Sequence, residues 1–422
     1  MKSLALFQKT PFIFLLICAL YLNFLELLEN YTSLGVAQNW WVFIPLAFML
    51  TSAIGILRYS AQSIVALLIL SFLFILAAHS ILQFFRYEYV GAGWAFLSYG
   101  LWLGVVFWMS SQPLDKLAHL LRWVVVLSAL VHFCAVMLDR FYFGGVLKTV
   151  TIAEVERSYG IATSIAIMST QLGVAVVLLV GIALRTYGIK CILSLALAAA
   201  LTTLMLTSSV RGPILYLAIA LATLVVLRLV QGTKLGELFL MSAIALSFLA
   251  GVTAFLLLDV DRATFFLELF DTSSEGNAER LLRYQEALLL LREQWWTVFI
   301  GHGSSELTHI PNALNRLEFS SESSLVKSML ELGLIGLFPI IITFAVVLFG
   351  AATVVKHPVM LSYPEFIAAL LLICLQCLTH ETFKTWIGSM YFALFTGFMI
   401  RALIETGFIA PIQGDNRSAL AK

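Results

Sequence analysis

Apolar runs of about 20 residues recur along this sequence, separated by short polar stretches. A helix of that length crosses a hydrocarbon layer of about 30 Å while making its backbone hydrogen bonds internally. The runs lie near 11–29, 40–57, 61–83, 91–110, 117–138, 161–183, 191–208, 213–231, 237–258, 325–349, 364–380 and 385–403. They predict an all-α, polytopic integral membrane protein with about 12 transmembrane helices. Composition excludes the soluble alternative: 61% of the 422 residues are hydrophobic and 12% charged, against about 25% charged in soluble domains. The formal net charge of +1 offers no bulk attraction to nucleic acid.

Lys2 and Lys9 precede the run from Pro11 to Leu28. That run is too long for a signal-peptide core and reads as a retained first span. Lys2, Lys9, Arg58, Lys116, Arg185, Lys190, Arg228, Lys234, Lys356, Arg401, Arg417 and Lys422 fall on alternate connections. By the positive-inside rule these connections and both termini are expected in the cytoplasm of a bacterial inner membrane. One opposite connection, 259–324, is far longer than the rest and is expected to be a large helical periplasmic loop. The implied organisation is an N-terminal bundle over 1–258, the loop over 259–324, C-terminal spans over 325–403 and a cytoplasmic tail over 404–422. Cys374 and Cys377 form a C-x-x-C inside an apolar run, where packing accounts for them better than redox or metal chemistry.

Within the loop, Asn277 can cap a helix running to about Phe299, with Leu281, Tyr284, Leu288 and Leu291 at helical spacing. Trp295 and Trp296 suit its anchoring at the membrane interface. Arg280 and Arg283 lie on this helix. Glu279 is an adequate ion-pair partner for Arg283, whereas Arg280 has none at the favoured spacing. The turn Gly301-His302-Gly303-Ser304 lets backbone and imidazole approach a ligand, or is a plain turn. Glu322, in the run Ser320 to Ser324, is either a helix-start carboxylate or a general base. Leu332-Gly333-Leu334-Ile335-Gly336 follows, its small residues suited to tight helix contact. Earlier, Ser208-Ser209-Val210-Arg211-Gly212-Pro213 places an arginine at a helix start on the outer side. There it either binds an anion or snorkels to water. His380 and Glu381 end the eleventh run, and Lys384 supplies Glu381 with an ion-pair partner.

In order and spacing these elements resemble the O-antigen ligase and Wzy-type polymerase family. The resemblance is carried by Ser209 to Gly212, by Arg280-x-x-x-Tyr284-x-x-Ala287-Leu288, by Gly301-His302-Gly303, and by Glu322-Ser323 ahead of Leu332 to Gly336, over roughly residues 200–340. It implies a metal-independent glycosyltransferase without a cofactor, joining undecaprenyl-diphosphate-linked oligosaccharides to a glycan acceptor at the periplasmic face. Arg211 and Arg280 would hold the diphosphate and Glu322 would accept the acceptor's proton. Arg283, His302 and Ser323 are further substrate-binding candidates. The ligases of this family usually carry a His-Asn pair where this chain has Glu322-Ser323, which favours a polymerase over transfer to lipid A-core. The bilayer is a partner throughout, and a chain-length regulator is a further expectation of the resemblance. A transporter of polysaccharide or lipid is the rival from another class. Transporters usually show mid-span charges and interrupted helix pairs, whereas here the unusual charges cluster at one membrane face.

Overall fold

The computed structural model describes residues 112–143, 149–152, 155–158, 165–207, 211–232, 235–258, 275–292, 295–301, 323–380 and 386–409, with positions 78, 105, 106, 109 and 110. The first three predicted spans and most of the fourth lie outside them. The rest is dominated by helices: α1 (Leu114–Leu138), α2 (Ile165–Ala183), α3 (Ile189–Thr207), α4 (Arg211–Val230), α5 (Leu235–Leu258), α6 (Glu275–Arg292), α7 (Thr297–Ile300), α8 (Ser324–Thr353), α9 (Pro358–Leu361), α10 (Pro364–Thr379) and α11 (Trp386–Glu405). Among the described residues four helices are long and apolar enough to cross a membrane: Leu114–Tyr142, Ala166–Ala183, Ile189–Thr207 and Gly212–Val230. The chain is a helical membrane protein.

A feature that the apolar pattern did not announce lies between α1 and α2. Strands β1 (Thr149–Ile152) and β2 (Val155–Ser158) pair antiparallel, with Thr149 opposite Ser158 and Ile152 opposite Val155. Thr149, Val150, Thr151, Ile152 and Val155 are β-branched and favour an extended backbone. The run is too short to register in a span-length window.

The chain divides into two compact units. The first comprises Met1–Gln38, Leu114–Ser274 and Val355–Gln376. At its centre α2 is buried on nearly every side and packs against α1, α3 and α4. Its sequence IAIMSTQLGVAVVLLVGIA has no charged residue and several small ones, so neighbouring helices can approach closely from all directions. On α3, by contrast, Ile192 and Leu193 are exposed, as expected of a face turned to lipid.

One end of this unit is closed by an ion cluster. Glu365, in the first turn of α10, is 0% exposed. Its Oε1 accepts from Arg122 Nη2 of α1 at 2.6 Å, and its Oε2 accepts from Arg185 Nη2 just after α2. The guanidinium of Arg122 also lies over the rings of Phe366 and Tyr363, 5.4 and 5.9 Å from their centroids. The Tyr363 hydroxyl donates to Asp115. Gly181 makes room for the carboxylate, since a Cβ there would stand 2.8 Å from Glu365 Cγ. Removing one partner of a buried pair leaves an uncompensated charge, at a cost of about 3–5 kcal/mol. Glu365→Gln is therefore expected to lower thermal stability in detergent well beyond Lys116→Gln, an exposed control. Equal melting points for the two variants would refute this account.

The second unit comprises Asn39–Pro113, Glu275–Val354 and Cys377–Lys422. The middle of α11 is its most buried element, with Tyr391, Phe392, Phe395 and Phe398 almost wholly enclosed. Phe392 meets Phe344 of α8 at 4.8 Å between ring centroids.

Candidate functional site

Of the predicted site residues, Arg280 and Arg283 belong to α6, Ser323 precedes α8 and Arg211 begins α4. The loop helix exists, though its bounds differ from the expectation. It runs from Glu275 to Arg292, placing Asn277 inside its first turn rather than at its cap. It also stops short of Phe299. The Thr297 hydroxyl donates to the Leu291 carbonyl at 2.9 Å, satisfying a C-terminal acceptor, and the separate turn α7 follows.

One face of α6 is buried. Ala287 and Leu291 pack with Leu330, Val326 and Met329 of α8 and Val298 of α7. Leu281, Leu282, Leu288 and Leu289 are exposed, together with Trp295 and Phe299. The stripe 280, 284, 287, 291 is thus the one whose C-terminal half faces α8, and Arg280 stands at its N-terminal end in register. The outer leucines and Trp295 form the apolar surface expected of a helix resting in an interface.

Two glycines join this assembly to α8. Gly301 ends α7 at φ 73°, ψ −179°, and Gly333 interrupts α8 at φ 64°, ψ −170°. Both conformations belong almost exclusively to glycine. They meet backbone to backbone: a Cβ on Gly301 would stand 2.6 Å from Leu332 N, and one on Gly333 would stand 2.5 Å from Gly301 N. Gly333 is therefore a break in the helix, beyond the packing role expected of it. A bend of 59° separates the segments Ser324–Phe338 and Ile340–Thr353. Pro339 lies between them and can offer no N–H to the preceding turn. The predicted span over 325–349 is therefore a sharply bent pair of helical segments.

Ser323 opens α8 as its N-cap, its hydroxyl accepting from Val326 N at 3.4 Å, and is buried. Ser324 ties the same end to the end of α10, with its N and Oγ both donating to the His380 carbonyl, at 3.1 and 2.8 Å. Glu322, His302, Glu381 and Lys384 lie outside the described residues. Arg280 and Arg283 are placed on α6, and Arg211 on the first turn of α4, by backbone alone.

A polar face within α8 escaped the sequence reading. Ser324, Lys327, Ser328 and Glu331 recur at helical spacing and are all buried. Lys327 Nζ stands 3.8 Å from Glu331 Oε1. Two opposite charges inside an apolar run are a functional signal in their own right. They were hidden because the count of spans absorbed them. Cys374 and Cys377 are buried thiols that are not disulfide-bonded. Among the described residues no three His, Cys, Asp or Glu side chains gather as a metal site. The chain matches no protein-family model and no curated protein.

Because Gly301 and Gly333 hold each other, Gly333→Ala is expected to loosen both. It adds about 1–3 kcal/mol of backbone strain before any steric cost. Hydrogen exchange should accelerate across 295–301 and the first half of α8 while α2 stays as protected as in the parent protein. Unchanged protection of 295–301 would show that the contact is dispensable.

Proposed function

We propose that the chain is a surface-polysaccharide polymerase of the bacterial inner membrane, joining oligosaccharide repeat units carried on undecaprenyl diphosphate. The observation that carries this reading is the junction of the Gly301 turn, the Arg280 helix and the helix opened by Ser323. Residues that the motifs place far apart in sequence belong to one local assembly in the second unit. That supports a ligand-handling loop rather than a passive connection.

The proposed topology has about twelve spans, with both termini cytoplasmic. The first unit supports the orientation. The start of α1, the end of α2, the end of α4 and the start of α10 share one end of it, and Lys116, Arg185, Lys190, Arg228 and Lys356 belong to that end. Such an accumulation of basic residues marks the cytoplasmic side. Arg211 precedes Arg228 by about 25 Å of α4 at 1.5 Å per residue, so in the proposed topology it lies on the periplasmic side.

The chemistry follows from the residue types. Arg211 and Arg280 hold the diphosphate as bidentate cations and stabilise the charge that develops on it. Arg283, His302 and Ser323 line the donor or acceptor path. The acceptor sugar's hydroxyl oxygen bonds to the donor's anomeric carbon as the carbon–oxygen bond to the diphosphate breaks, with inversion. Glu322 takes the hydroxyl proton. Diphosphate is a competent leaving group, so the step requires neither metal nor cofactor.

The test is the surface-glycan profile of a deletion strain complemented at matched protein levels. Deletion should leave single repeat units on the lipid core. Arg280→Ala, Arg211→Ala or Glu322→Gln should restore polymer at least about 100-fold less well than the parent gene, the usual scale for a lost catalytic group. Unattached long chains on the lipid carrier would instead identify a ligase. A normal profile in the deletion strain would direct attention to transport.

A further inference from the structure

The charged end of the first unit holds more cations than its buried carboxylate can neutralise. Glu365 commits one oxygen to Arg122 and the other to Arg185. Arg228, in the last turn of α4, has no carboxylate partner among the described residues, and its Nε and Nη2 are buried without hydrogen bonds. The Nε groups of Arg122 and Arg185 are likewise buried and unbonded. Four guanidinium nitrogens thus lack acceptors among the described residues of this end, where buried donors are otherwise almost always paired.

Neighbouring groups do not account for these donors. Asp115 is exposed and accepts from the Tyr363 hydroxyl. The C-terminal dipole of α4 favours a cation at Arg228, but its carbonyls are not bonded to the two orphaned nitrogens. Gln231, one turn further on, directs Nε2 to the carbonyls of Val355 and Met360 at 3.5 Å each, fixing the end of α4 against that connection. The field of Arg228 reaches its neighbours. Burial pulls the Arg185 guanidinium down to about 10; Glu365 opposes this, while Arg122 and Arg228 add to it. Arg185 therefore stays charged at neutral pH.

Two guanidinium groups fixed on one satisfied carboxylate, with Arg228 near enough for its charge to act on Arg185 and spare donors on all three, are arranged to receive an anion. The side chains of Arg122 and Arg185 retain 21% and 25% exposure, so the cluster is open at its edge. Lys116, Lys190 and Lys356 are exposed on the same end and raise the local potential for an anion. We propose that Arg122, Arg185 and Arg228 form a binding site for a phosphate-bearing anion. Phosphate oxygens accept the forked N–H pairs that guanidinium presents. Basic pockets between membrane helices take the phosphate of an anionic lipid headgroup in this way, and a soluble phosphate carries the same group. The site is separate from the proposed transfer chemistry and stands or falls independently of it.

The test uses the full-length protein in detergent, with thermal stability read during titration. Phosphatidylglycerol, phosphatidylcholine and inorganic phosphate are the three probes. Phosphatidylglycerol is expected to raise the melting midpoint saturably, and phosphatidylcholine is not. Arg228→Gln removes a cation that holds no ion pair among the described residues, so its unliganded midpoint should match the parent's while its affinity falls about tenfold or more. Arg228→Lys keeps the charge without the fork and should lose about threefold, which preserves the comparison if the glutamine variant folds poorly. Saturation by millimolar inorganic phosphate in place of phosphatidylglycerol would retain the site and make its ligand soluble. The proposal fails if neither anion binds saturably to the parent, or if both Arg228 variants bind as it does.

Discussion

A carboxylate enclosed among helices cannot be solvated by water, so it must be neutralised by cations that the fold delivers to it. Glu365 meets this condition with Arg122 and Arg185, whose partners lie 243 and 180 residues away in the chain. The requirement fixes more than a pair of contacts. It brings α1, the end of α2 and the start of α10 to a common level, and Gly181 keeps the space in which they meet. The small residues of α2 then allow α1, α3 and α4 to close around it. The association of this unit therefore rests on close packing and a shared charge, because apolar side chains gain little from leaving lipid for protein.

In the second unit the organising contact is between backbones. Gly301 and Gly333 each adopt a conformation that a side chain would oppose, and each occupies space that the other's Cβ would fill. A helix crossing a membrane ordinarily satisfies its own backbone. Breaking α8 at Gly333 is tolerated because the turn after α7 covers the break. The polar face of Ser324, Lys327, Ser328 and Glu331 lies on the portion before the break, so the interruption divides the helix into a polar start and an apolar continuation.

The helical membrane character was legible because it depends on composition over long windows. Apolar runs at 117–138, 191–208 and 364–380 correspond to Leu114–Leu138, Ile189–Thr207 and Pro364–Thr379. What escaped depends on partners remote in sequence. Glu365 reads as an ordinary acid in a first helical turn until Arg122 and Arg185 are placed beside it. Gly333 reads as a packing residue until Gly301 is brought against it. Which face of α6 is buried was not legible, because Leu281 and Leu288 are as apolar as Leu291; the side that meets α8 carries the small Ala287. Lys327 and Glu331 were legible in principle, since charge within an apolar run carries a cost that demands a reason.

The segment from Tyr363 to His380 has a consequence for the order of assembly. Its beginning supplies the carboxylate that Arg122 and Arg185 share, and its end supplies the carbonyl to which Ser324 is tied. During synthesis α1, α2 and the start of α8 all precede it. Each must wait in the membrane with its polar groups provisionally solvated or held by other partners. Two separate closures thus depend on one late piece of chain. A ribosome that stops before Tyr363 leaves both units without the contacts that complete them.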